Sequence, residues 1–112
     1  MKEETNLRIF GAVPREKAFY FFTSIGNYTG ESATSLKEFV EKIKDVNVKS
    51  LQFHLYRGDF EKWTLEVLRD EELALEMRKL QRFNLAVDIL RSQLYETVSK
   101  HLKHLENRME PI

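Results

Sequence analysis

The chain has no cysteine, and that single absence removes disulfides, thiolate nucleophiles, iron–sulfur clusters and cysteine zinc sites together. It has no apolar run near the roughly 18 residues that a membrane span needs. Its opening residues, Met1-Lys2-Glu3-Glu4-Thr5-Asn6, lack the apolar centre of a signal peptide, so a cytoplasmic protein without a membrane partner is expected. Neither charge is in excess. Lys plus Arg and Asp plus Glu both number 18, with the signs mixed in both halves, and no field directs the chain to nucleic acid. Few Asn and Gln beside abundant Lys, Arg and Glu is a composition that suits a thermophile.

What is present describes a folded chain. At 112 residues, 42% hydrophobic and 32% charged, one continuous core fits and two do not, so a single domain over 1–112 is expected. Residues 1–13 read as a lead-in. The aromatic run Ala18-Phe19-Tyr20-Phe21-Phe22-Thr23 leaves two readings open. Aromatics favour a strand, with Leu7 to Gly11 available as its hairpin partner, whereas Pro14 near a start and Gly26 past an end would frame a short helix. Gly26 to Ser32 gathers Gly, Asn and Ser and reads as a loop.

From there the pattern is helical. Ser35 and Glu38 form a capping box ahead of Leu36, Phe39, Val40 and Ile43, the stripe of an amphipathic helix. Asn47 caps a second helix carrying Val48, Leu51 and Leu55, with Gly58 at its end, although Leu51, Phe53 and Leu55 also alternate as in a strand. Asp59 then reads as the cap of a third helix with Phe60, Trp63, Val67 and Leu68 inward. Asp70, Glu71 and Glu72 open a fourth and place negative charge at its positive pole. No Pro or Gly interrupts Asp70 to Met109, so that helix either runs on or kinks near Phe83-Asn84, where Asn84 could cap a new start. The fold class expected is mainly α: a small bundle of four to five helices with a long C-terminal helix over 85–109, and a short N-terminal extended or hairpin segment if the strand reading holds.

That last helix carries Val87, Leu90, Leu94, Val98, Leu102, Leu105 and Met109 at spacings of three and four. A helix over 85–109, about 37 Å long at 1.5 Å per residue, exceeds what the shorter helices readily cover. The turns around Leu94, Val98, Leu102, Leu105 and Met109 are therefore expected to form a homodimer interface.

The run Phe53-His54-Leu55-Tyr56-Arg57-Gly58-Asp59-Phe60-Glu61-Lys62-Trp63, followed by Asp70-Glu71-Glu72-Leu73-Ala74, resembles a family of small, mainly archaeal domains of unknown function. Phe19-Tyr20-Phe21, Thr29-Gly30 and Ser35-Leu36-Lys37-Glu38-Phe39 are similar to its earlier motifs, so the resemblance covers about residues 18–75. Thr64 stands where an aliphatic residue is common in that family, and Arg69 where glycine is common. The resemblance implies that members occur alone or appended to larger proteins, some of them glycosyltransferase-like. It implies no activity.

His54, Arg57, Asp59 and Glu61 form the densest polar cluster, with Trp63 completing the candidate functional cluster, and a histidine beside carboxylates and a cation is raw material for acid–base chemistry. A structural account competes: Asp59 as a cap, Arg57 as its counter-charge, His54 as a packed helix residue, Trp63 with Phe60 as core. Tyr20, Tyr28 and Thr29 could contact a sugar or peptide. His101 and His104 are three apart on one helix, but no third ligand accompanies them, so no metal is expected, and Gly26 to Gly30 lacks the Lys and spacing of a phosphate loop. Arg57-Gly58-Asp59 and the sequon Asn27-Tyr28-Thr29 are accidents of composition. No cofactor is expected and no residue is assigned as catalytic. A non-catalytic interaction or accessory domain is the leading reading. The alternatives are a small enzyme acting through His54 and Asp59, or a carbohydrate or sugar-nucleotide binding module.

Overall fold

The computed structural model describes residues 12–109, and in it the aromatic run is a strand. β1 (Phe19–Ser24) pairs antiparallel with β2 (Asn27–Ala33) across the turn Ile25-Gly26. Gly26 takes φ +82°, the left-handed value that the second central position of a type II turn requires. The partner of β1 is therefore the segment expected to be a loop. Leu7 to Gly11, the other candidate partner, lies outside the described residues.

β2 escapes a sequence reading because its ladder is bulged. Between the pairs Tyr20–Ser32 and Phe22–Tyr28, Phe21 alone faces Thr29, Gly30 and Glu31. Gly30 absorbs the bulge at φ +90°, and the Thr29 hydroxyl stands in for the missing backbone bonds. It donates to the Phe21 carbonyl at 2.7 Å and accepts from the Glu31 N–H at 3.1 Å.

Five helices follow among the described residues: α1 (Leu36–Asp45), α2 (Val48–Arg57), α3 (Asp59–Glu66), α4 (Glu71–Arg82) and α5 (Val87–Met109). Ser35 caps α1 by accepting from the Glu38 N–H, and Glu38 in return accepts from the Thr34 N–H and hydroxyl. Asn47 accepts from the Lys49 N–H at the start of α2, and Asp70 from the Leu73 N–H at the start of α4.

Asp59 departs from expectation. Gly58, at φ +82°, ends α2 and simultaneously occupies the N-cap of α3, so Asp59 falls inside the helix and makes no capping bond. Asn84 departs as well. It takes φ +50°, the left-handed conformation that closes α4, and α5 begins only at Val87. Arg69 holds φ +58° in the turn between α3 and α4, where the Asp70 N–H donates to the Thr64 carbonyl.

One core unites the elements. Phe39, Leu51, Leu55, Phe60, Trp63 and Leu73 all belong to it, and Val67 packs against it only partly buried. Its aromatic centre joins strand to helices: Phe19 lies 5.1 Å from Phe60 and 5.6 Å from Trp63, and Phe39 lies 5.2 Å from both, all ring centre to ring centre. Such pairs add roughly 0.5–1.5 kcal/mol each beyond the area they bury. Thr64, fully buried, satisfies its hydroxyl on the Phe60 and Glu61 carbonyls of its own helix.

The seam of α5 finds its cover inside the chain. α5 packs on α1, α2 and α4; Leu90, Leu94 and Val98 are fully buried, and Leu102 and Leu105 are each only 9% exposed. Two polar links hold its distal half along the start of α4: His101 Nε2 to Asp70 at 2.6 Å, and Arg108 to Glu72 at 3.4 Å. The exposed strip on which the homodimer expectation stood is thus ordinary core at these positions, while the side chain of Met109 lies outside the described residues. Val87 alone of the described seam positions faces solvent. At its proximal end α5 also caps α1, Arg91 donating to the Ile43 and Lys44 carbonyls.

Candidate functional site

His54, Arg57, Asp59 and Trp63 do come together, and the hairpin completes their surroundings. They line a cleft of about 550 Å³ between β1, α2 and α3, with Phe22, Ile25 and Phe53 among its apolar walls. Lys62 and Glu66, both exposed on α3, also line it. Glu61 does not. Its carboxylate is held by Arg78 of α4 at 2.7 Å.

His54 is buried, and its two ring nitrogens are both engaged within the protein. The backbone N–H of Phe22 points at Nε2 from 2.8 Å, so Nε2 carries the lone pair. Nδ1 therefore bears the proton and donates it to Oδ2 of Asp59, also at 2.8 Å. Burial pushes the His54 pKa below the ordinary histidine value, against the pull of the Asp59 carboxylate and with a smaller push from Arg57. A neutral ring with a fixed tautomer follows. The imidazole bridges three elements: its own α2, the first turn of α3, and β1, whose outward N–H it satisfies.

The remaining members of the cluster are arranged around that bridge. Arg57 lies 3.4 Å from Asp59 and spreads its guanidinium over the Phe53 ring at 4.7 Å. Trp63 is nearly buried, and its indole N–H donates to the Lys17 carbonyl at 2.8 Å, tying α3 to the residues before β1. Trp63 is thus core on one side and cleft wall on the other.

Of the other singled-out residues, Tyr20 and Tyr28 share the outer face of the hairpin as an edge-to-face pair at 5.8 Å. Tyr20 faces both the apolar cleft and a second, more polar one that Tyr28, Lys37 and Glu38 help to line. Thr29 is committed to the bulge. His101 and His104 diverge, the first to Asp70 and the second to Arg108 at 2.9 Å. No group of three or more His, Asp or Glu among the described residues is placed to hold a metal ion. No helix among them is long and apolar enough to cross a membrane.

Sequence reasoning missed Ile25 and Phe22. Both are apolar residues beside glycine and threonine in a segment with no helical period, and only the pairing of β1 with β2 brings them over α2 and α3. A strand reading of residues 18–24 followed by a two-residue turn at Ile25-Gly26 would have exposed the signal.

A model described as a family of unknown function (DUF5752) matches residues 14–111. The chain belongs to that family. The match takes in the hairpin and all five helices. No curated protein and no solved structure matches the chain.

Proposed function

We propose that this domain is a non-catalytic interaction module, and that it offers the cleft beneath the hairpin to an apolar segment of another polypeptide. The observation that carries this reading is an apolar cleft whose histidine has no free nitrogen. A general base needs an available lone pair and a general acid an available proton; in His54 both are occupied by Phe22 and Asp59. What the cleft does present is surface suited to binding: the edges of Phe22, Phe53 and Trp63, the exposed Ile25, and charged groups only at the rim. Few polar groups around a mostly apolar concavity is the usual composition of a binding site.

Anilinonaphthalene sulfonate, an anionic dye with an apolar ring system, tests the reading. The native chain is expected to bind it at one saturable site with a change in Trp63 fluorescence, since Trp63 is the sole tryptophan and walls the cleft. Ala18→Asp, which sets a negative charge in the cleft wall against the dye's sulfonate, is expected to abolish that binding without altering the thermal melt. Native protein that leaves the dye unbound would overturn the proposal.

A further inference from the structure

We infer that the occupant of this cleft is a second copy of the same chain, the two molecules exchanging hairpin tips about a two-fold axis; the inference rests on the interaction-module reading above. Ile25 is the most exposed large apolar residue described, at 84%, and it stands at the lip of the very cleft it would need to fill. A surface that holds a knob and a hole side by side is self-complementary. In a two-fold interface residue i of one copy meets residue j of the other and the reverse, so adjacent knob and hole straddle the axis and both are filled at once. A volume of about 550 Å³ suits the tip of a hairpin better than a single methyl group.

The rim charges agree with a like partner and not with a strongly acidic or basic one. Arg57 and Lys62 are balanced there by Asp59 and Glu66. Lys62 and Glu66 lie one turn apart on the exposed side of α3, and neither is joined in an ion pair among the described residues. Setting two α3 helices antiparallel across the axis brings Lys62 against the partner's Glu66, and Glu66 against the partner's Lys62. The zero net charge of the chain removes the long-range repulsion that would otherwise keep two copies apart.

Sedimentation equilibrium of the full chain from about 1 μM to about 1 mM, with the dye as a second readout, tests this. The expected result is a monomer of 13.3 kDa passing to a species of twice that mass, with bound dye released as the dimer forms. Ile25→Ser should raise the dissociation constant about tenfold or more. Lys62→Glu should weaken the dimer, and the swap Lys62→Glu with Glu66→Lys should restore it. Phe83→Ser, a control at an exposed residue away from the cleft, should leave it unchanged. A chain that stays monomeric yet binds the dye overturns the second copy as occupant and leaves the interaction-module reading standing. A chain that neither dimerises nor binds the dye overturns both. A dimer indifferent to Ile25→Ser and to the charge reversal overturns the exchange.

Discussion

Nδ1 of His54 lies 2.8 Å from Oδ2 of Asp59, five residues on and across a helix boundary, while Nε2 of the same ring accepts from a strand. Three elements therefore meet on one buried, neutral imidazole. Its neutrality makes the fold sensitive to acid. The folded pKa is below the ordinary 6.5 because burial dominates, so the unfolded chain takes up the proton first as pH falls. His54 stabilises the fold fully above about pH 6.5, and its contribution declines as pH drops through 6.5 toward the folded value. Urea denaturation between pH 7 and about pH 5 should show a steeper loss of stability in the native chain than in His54→Gln, whose amide oxygen can still accept from Phe22 but does not titrate. Parallel slopes would remove His54 as the source.

The two aspartates read from the sequence as caps should behave differently. Asp70→Ala forfeits a true cap and is expected to cost about 0.5–2 kcal/mol from that loss alone. Asp59 holds His54 instead, so the cost of Asp59→Ala should shrink markedly in a His54→Gln background. Denaturation of the two single variants and the double variant measures this coupling, and strict additivity would contradict it.

Arg69 occupies a left-handed turn at φ +58°, a conformation that disfavours any residue with a Cβ by roughly 1–2 kcal/mol. Arg69→Gly should therefore raise the melting temperature, the gain being reduced by the greater freedom of glycine in the unfolded chain. Gly58→Ala should do the opposite at φ +82°. A Cβ at Gly58 would meet nothing nearer than the Gln81 amide oxygen at 4.0 Å, so its cost is conformational and not steric.

The hydroxyl of Ser50 is fully buried on α2 and has no hydrogen-bond partner among the described residues. Removing an unsatisfied buried group relieves a desolvation cost of about 1–3 kcal/mol. Ser50→Ala, which also favours helix, should stabilise the chain. A loss of stability on calorimetry would mean that the hydroxyl is bonded in solution.

The helices were legible because their signals are local. Ser35 with Glu38, Asn47 and Asp70 each announce a helix start within four residues, and the stripes through Phe39, Leu51 and Trp63 each lie on one face. What could not be read depends on distant residues. β2 looks like a loop because Gly30 and Thr29 belong to a bulge whose side-chain bonds replace a regular ladder. Asp59 looks like a cap because the residue that displaces it, Gly58, does so by serving two helices at once. The seam of α5 looked uncovered because its cover is assembled from α1, α2 and α4 together, with His101 and Asp70, 31 residues apart, holding its distal half. Of the candidate site, the polar cluster was visible in one contiguous run, but the cleft was not, since Ile25 and Phe22 reach it only through the hairpin.

His54 is a structural bridge with no nitrogen to spare, and nitrogen-15 NMR of its imidazole reads this out. At pH 7 one protonated, pyrrole-type nitrogen is expected at Nδ1 and one unprotonated, pyridine-type nitrogen at Nε2. A correlation across the hydrogen bond from the Phe22 amide to Nε2 should accompany them. A ring protonated at Nε2, or one averaging between tautomers, would leave a nitrogen free for chemistry and contradict the account.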